Sequence, residues 1–352
     1  MKVLLLGMRD DFSNDTGAGI PKYMYELYTR LKGRETENFK IEKSDYYKII
    51  GIGSMASYAL HTLIDNFDKY DIVHNLSAGP LIKPKWMIKS QLVSTAHDFS
   101  VVLHPEYYID RNTSFKTKLW YNFVRLGIAS VLKSDYVIAR SSQTLAELIQ
   151  MGYPSDRTTV INSGLDERFL SKRKIKKNAK KFIVGYIGSM QKNKNLKFAI
   201  NAVNNIENKK NIKFEIWGKK TLEYVDLKSI VRNKNTVFMG FAPENKLVQI
   251  YDSFDAFVFP SLYEGLGLPI REAQARGLPV IVYKYAKLPK EIKKYCFEAE
   301  SQEHMAQIIE NLKENGYNEK LRKRATEYAR SFTWEKCAID TLNVYKKITA
   351  FV

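Results

Sequence analysis

Two carboxylates flank a paired-glycine loop in the stretch Pro260-Ser261-Leu262-Tyr263-Glu264-Gly265-Leu266-Gly267-Leu268-Pro269-Ile270-Arg271-Glu272. Just upstream, Asp255-Ala256-Phe257-Val258-Phe259 reads as a buried strand, and Pro269 suits the first helical position, where a missing N–H costs nothing. The loop therefore ends on a helix N-terminus. Gly265 and Gly267 let the backbone approach a ligand closely, and the free amides and dipole of that helix favour an anion such as a diphosphate. Glu264 before the turn and Glu272 one turn into the helix are acceptors, each suited to a pair of vicinal hydroxyls, one pair on a sugar and one on a ribose. An ordinary strand–turn–helix with solvated glutamates gives the same spacing; the glycines, the proline and the helix start together favour the ligand site.

The elements that must position this loop alternate strand and helix, as parallel sheets demand. In the first half, strands are expected at 2–7, 71–75, 91–96, 136–140 and 159–161, with helices near 19–32, 57–67, 115–132 and 144–151. The second half opens with Phe182-Ile183-Val184-Gly185-Tyr186-Ile187-Gly188 and continues with strands at 213–217, 236–239, 255–259 and 279–282. Two doubly wound α/β domains follow, with ligands expected in a cleft at their strand ends. The boundaries read as a first Rossmann-like domain over 1–170, a linker over 171–181, a second Rossmann-like domain over 182–333, and a terminal helix over 334–352 that returns to the first.

A length of 352 residues with 45% hydrophobic content suits two cores rather than one. Cys296 and Cys337 form neither a disulfide framework nor a metal-ligand spacing, so a reducing cytosol is the natural compartment. The run Val3-Leu4-Leu5-Leu6 is too short for a signal peptide, and no apolar run approaches membrane-spanning length. The net charge of +18 is unevenly spread: residues 1–168 carry 21 Lys and Arg against 19 Asp and Glu. The run from Lys172 to Lys181 holds seven cations and no acid, the composition of a solvated linker. No nucleic-acid motif or aromatic platform accompanies it, which argues against a nucleic-acid partner.

Other motifs cluster at expected strand ends. Gly17-Ala18-Gly19-Ile20-Pro21-Lys22-Tyr23 follows the first strand and starts a helix. Ser94-Thr95-Ala96-His97-Asp98 ends an apolar strand, although a His-Asp pair alone is more often a polar loop. Gly188-Ser189-Met190-Gln191-Lys192-Asn193-Lys194-Asn195-Leu196 opens the second half, and Val237-Phe238-Met239-Gly240-Phe241 precedes Leu247 and Tyr251. His61, His74, His104 and His304 lack metal-ligand spacing, and no Asp-x-Asp pair marks a divalent cation, so neither a metal nor a cofactor is expected.

These words together resemble retaining glycosyltransferases of family 4, whose Glu-x7-Glu motif matches Glu264 and Glu272. The resemblance implies a GT-B fold and transfer of a hexose from a nucleoside-diphosphate sugar to a hydroxyl acceptor, either a glycan or a lipid-linked glycan. It implies that Glu264 and His97 meet the donor sugar and Glu272 the ribose. It gives the diphosphate to Gly19, Lys194 and the backbone of Gly265, Leu266, Gly267 and Leu268, and places Gly240, Phe241 and Leu247 on the base side. Lys22 and Asp98 are weaker acceptor-side candidates. An arginine usual in the family is replaced here by Ser189, and Lys192 is the candidate substitute. Val160-Ile161-Asn162-Ser163-Gly164-Leu165-Asp166 and Phe332-Thr333-Trp334 are similar to family segments flanking the hinge and the last helix. A related phosphorylase or epimerase, or a catalytically weak partner subunit, shares the fold; the intact Glu264, Glu272, His97 and Lys194 favour the transferase.

Two basic, aromatic clusters, over residues 83–89 and 111–133, offer contact with an anionic membrane surface. The commoner use of such spacing is a helix that buries its aromatic face, and that is the expectation for 115–132.

Overall fold

The computed structural model describes residues 1–7, 12, 19–44, 46, 54–110, 113–173, 181–206 and 211–350. Gly17 and Ala18, and Lys174 to Lys180 of the basic run, lie outside these.

The chain divides into two compact units, one formed by Met1–Gly164 with Thr333–Val352 and the other by Leu165–Phe332. The first holds six parallel strands, β1 (Lys2–Leu6), β2 (Lys40–Lys43), β3 (Ile72–Asn75), β4 (Gln91–Ala96), β5 (Tyr136–Ala139) and β6 (Thr158–Val160), in the order β2-β1-β3-β4-β5-β6. The second holds β7 (Phe182–Ile187), β8 (Ile212–Trp217), β9 (Thr236–Gly240), β10 (Ala256–Phe259), β11 (Val280–Tyr283) and β12 (Phe297–Ala299), also parallel, in the order β12-β11-β10-β7-β8-β9. In each sheet the chain order reverses beside the first strand, between β1 and β3 and between β7 and β10. At such a switch point the connecting helices diverge to opposite faces and leave a crevice beyond the strand ends.

The central strands are buried apolar runs, such as Ala-Phe-Val-Phe in β10 and Val-Ile-Val in β11, which is why they are legible in the sequence. The strands absent from the sequence reading, β2 and β12, are both edges. With the sequences Lys-Ile-Glu-Lys and Phe-Glu-Ala they are short and charged, as edges that must resist further pairing are. The helix expected at 57–67 runs instead over Ser54–Ile64.

The crossing between units lies ahead of the basic run rather than within it. Leu165 and Phe169 bury their side chains in the second core, and Leu165 N–H donates to Phe332 O at 2.8 Å. The apolar pull of these residues, invisible to a charge count, carries 165–173 into the second unit. At the other crossing Thr333 caps the helix Trp334–Thr349, whose Trp334, Ala338 and Tyr345 join the first core. A Cβ on Gly164 would sit 2.1 Å from the backbone N of Trp334, so only glycine admits this close passage. Gly164→Ala is expected to lower stability by about 1–3 kcal/mol, the usual effect of forced overpacking, read as a shifted denaturation midpoint.

Candidate active site

The loops after β7 and β10 stand side by side because their strands are neighbours at the switch point of the second sheet. Leu262 N–H donates to Asn193 O at 2.8 Å, and Asn195 Nδ2 donates to Pro260 O at 3.2 Å. On the far side, Glu264 N–H reaches Lys287 O at 3.0 Å and Lys287 N–H reaches Leu262 O at 2.8 Å. The glutamate loop is thus bonded to the segments following β7 and β11, and its side chains are held by a closed backbone frame.

Within that frame Lys194 Nζ donates to Glu264 Oε1 at 2.7 Å, with side chains only 19% and 13% exposed. Residues 70 positions apart are brought into one partly buried ion pair, where reduced screening strengthens their attraction. Gly267 adopts φ 69°, ψ 45°, the left-handed conformation, and hands the chain to the helix Leu268–Ala275. The helix starts at Leu268, one residue earlier than the proline suggested, and Pro269 occupies its second position. Among the described residues no acceptor bonds the amides of Gly265, Leu266, Gly267 or Leu268. A helix N-terminus with free amides beside a lysine is suited to an anion.

Glu272 lies on the same helix and accepts the Tyr251 hydroxyl at 2.7 Å. Burial pushes its pKa up to about 7 from 4.5, against the lowering effect of Tyr251. Nearby, Arg168 makes a two-point contact with Asp166 at 3.0 and 2.8 Å and reaches Glu244 at 2.8 Å. Asp166 and Glu244 raise the Glu272 pKa further while Arg168 lowers it. Sequence reasoning missed Tyr251 and this trio as the surroundings of Glu272. Their spacing along the chain carries no signal, since only the fold joins Asp166, Glu244 and Glu272.

Gly240, at φ 84°, ends β9, and the Phe241 ring behind it is 72% exposed, an open apolar face. Leu247 instead packs partly against the core. Lys192 is exposed, in the 3-10 turn Lys192–Lys194, and Ser189 Oγ donates to Gln191 Oε1 at 3.1 Å.

The first unit gathers a separate polar group. His97 Nε2 bonds Leu76 O at 2.7 Å, which fixes the proton on Nε2 and leaves Nδ1 as an acceptor. Burial first, and the Arg140 charge second, push its pKa down to about 3, so the ring is neutral. The Arg140 guanidinium lies 3.7 Å from the centre of the Tyr23 ring, which packs edge-on against His97. His74 is a satisfied core histidine, bonded to Tyr345 OH at 2.6 Å and Thr95 Oγ1 at 2.9 Å. Asp98 accepts the Ser100 amide at 3.0 Å and so shapes the turn into the short helix Ser100–Leu103. Lys22 pairs with Glu26 at 3.0 Å, and Gly19 is exposed at φ 68°. Asp98 and Lys22 therefore have local structural partners that their sequence positions did not reveal. Among the described residues no group of three or more His, Cys, Asp or Glu side chains could hold a metal ion.

Two family models cover most of the chain. Glycosyltransferase Family 4 matches residues 23–169, and Glycosyl transferases group 1 matches residues 167–332. The chain belongs to glycosyltransferase family 4, and it is a transferase with a two-domain GT-B fold. The O-antigen chain mannosyltransferase B of Escherichia coli is 25% identical over 72% of this chain and 70% of its own. Sucrose-phosphate synthase from Thermosynechococcus elongatus superposes with a TM-score of 0.72 at 18% identity over the full length of both chains. HepE of Anabaena, solved with UDP and glucose, gives 0.70 at 16% identity over 99% of this chain and 100% of its own.

The raised pKa of Glu272 has a defined sign. Between about pH 4.5 and 7 the folded state holds a proton that the unfolded chain has released, so this group's contribution to stability is lost as pH rises through that window. Glu272→Gln removes the titration, and thermal melts of the variant should show a smaller decline across the window than wild type. Parallel curves would mean that Glu272 ionises normally.

Proposed function

We propose that this transferase moves a hexose from a nucleoside-diphosphate sugar to a hydroxyl of a glycan or lipid-linked glycan, with retention at the anomeric carbon. The reading is carried by the Lys194–Glu264 pair, set beside the unbonded amides that open the Leu268–Ala275 helix. A lysine, free amides and a carboxylate in one place match a diphosphate joined to a sugar: cations and amides for phosphate oxygens, the carboxylate for sugar hydroxyls. Glu272, on the same helix, would accept the ribose hydroxyls, and the exposed Phe241 would lie along the base. His97, neutral with a free Nδ1 acceptor, is assigned to a hydroxyl of the donor sugar. The mannosyltransferase relative supports a hexose donor, and the UDP complex of HepE supports a nucleotide diphosphate.

In the proposed reaction the bond between the anomeric carbon and the leaving phosphate oxygen breaks, and the acceptor oxygen bonds that carbon on the same face. The acceptor proton passes to a departing phosphate oxygen. Lys194 and the amides at the helix start stabilise the charge that grows on the diphosphate, an interaction stronger in the transition state than in the bound donor. The two free cysteines and the donor class are consistent with a reducing cytosol.

Three tests separate the assigned roles. Glu272→Gln should weaken free nucleoside diphosphate by about 1–3 kcal/mol, the range for a charged hydrogen bond, while Glu264→Gln leaves that affinity nearly intact and depresses transfer. Calorimetry that finds equal affinity in wild type and Glu272→Gln would remove the ribose assignment. Because lysine and amides carry the neutralisation, turnover should survive excess EDTA; loss restored by magnesium or manganese would reveal a required cation. If Lys192 takes the place of the arginine replaced by Ser189, Lys192→Ala should slow turnover roughly ten- to a hundredfold and Ser189→Arg should partly restore it. A Lys192→Ala rate within about twofold of wild type would leave the diphosphate to Lys194 alone. A panel of uridine, guanosine and adenosine diphosphate sugars identifies the base.

A further inference from the structure

The helix Phe115–Val131 buries its aromatic side chains only in part: Tyr121 and Phe123 are half-buried, and Phe115 and Trp120 are exposed. Its buried residues are Gly127, Ile128, Ser130 and Val131, all at the C-terminal end, whereas Phe115 is 76% exposed and Leu119, Trp120 and Leu126 also face solvent. Phe115, Leu119, Asn122, Leu126 and Ala129 recur at helical spacing along one exposed stripe. Lys118 and Arg125 flank that stripe on one side and Lys116 on the other, and residues 112–134 contain no acid.

The stripe continues onto neighbouring elements. Residues 78–82 pass between this helix and Ser54–Ile64: Leu81 N–H donates to Ser130 Oγ at 2.9 Å and Ile82 N–H to Thr62 Oγ1 at 3.2 Å. The Tyr58 and Phe123 rings meet edge to face at 6.4 Å and join the two helices directly. Leu63, Ile64 and Ile82 on these joined segments are exposed as well, and Trp86, 84% exposed, stands on the following turn. The nearby acid Asp135 is already paired with Lys85 at 2.7 Å. Among the described residues no carboxylate pairs with Lys89, Lys116, Lys118, Arg125 or Lys133. Isolated exposed leucines need no explanation, but a contiguous stripe ending in aromatics and bordered by unmatched cations does.

We propose that this face of the first unit docks on the surface of an anionic lipid bilayer, with Phe115, Leu119 and Leu126 entering the headgroup region and Lys116, Lys118 and Arg125 meeting lipid phosphates. Charge complementarity selects this occupant over a second copy of the chain, because two such faces brought together would oppose like charges. No helix among the described residues is long and apolar enough to cross a membrane, so the contact is peripheral. It stands independently of the donor and acceptor assigned above, since it is read without turnover.

The test is sedimentation of the full chain with phosphatidylcholine vesicles, with and without phosphatidylglycerol. Binding is expected to the anionic vesicles, weakened by salt, and little to phosphatidylcholine alone. The triple variant Lys116→Gln, Lys118→Gln, Arg125→Gln should lose about a hundredfold in affinity, from three cations near the surface. The triple variant Phe115→Ser, Leu119→Ser, Leu126→Ser should lose at least about tenfold. Both should keep wild-type affinity for nucleoside diphosphate, which reports that they are folded. Failure of wild type to bind anionic vesicles, or equal binding by wild type and either variant, overturns the proposal. A concentration-dependent dimer in ultracentrifugation that the serine variant abolishes would assign the stripe to a second copy instead.

Discussion

The ion pair between Lys194 and Glu264 is the interaction on which the rest of the second unit converges. It exists because β7 and β10 are adjacent although β8 and β9 intervene in the chain, an adjacency that occurs once in this sheet, at its switch point. The backbone bonds from Leu262 to Asn193 and from Glu264 to Lys287 then fix both loops, so the pair is a property of the sheet rather than of two mobile side chains. Partial burial makes it consequential. An unmatched charge at this depth would be costly, and each partner depends on the other until an anionic ligand adds a competing oxygen.

Glu272 shows the opposite strategy on the same helix. Among the described residues no lysine pairs with it; burial holds its pKa near 7, and a tyrosine hydroxyl satisfies one oxygen. Such a carboxyl is readily neutral when empty and becomes a strong acceptor when hydroxyl donors arrive. Two glutamates eight positions apart thus differ in character because one faces a cation and the other a phenol. In the first unit His97 is held neutral beside a buried guanidinium that itself rests on the Tyr23 ring.

The parts of this arrangement that were legible in the sequence share a physical cause. Central parallel strands are buried on both faces and read as apolar runs, and the Gly-x-Gly loop announces a conformation that side chains resist, so β10 and the helix after it are legible to within one residue and Glu264 falls in the loop between them. What was illegible depends on long-range pairing. The edges β2 and β12 carry the polar pattern of loops, and the partners of Glu272 lie on three other segments. The helix Phe115–Val131 misled for a different reason: helical spacing of aromatics says that they share a face, and only the packing of its Gly127 end against Ala78 says which face is covered.

The most direct test of the account is a double-mutant cycle of Lys194→Met and Glu264→Gln, followed in transfer rate. If the pair acts as one unit, the double variant should be little worse than the more damaged single variant, with a coupling energy of about 1–3 kcal/mol between the two sites. Additive losses, with coupling within about 0.5 kcal/mol of zero, would mean that the two residues act independently and that their contact is not what organises the site.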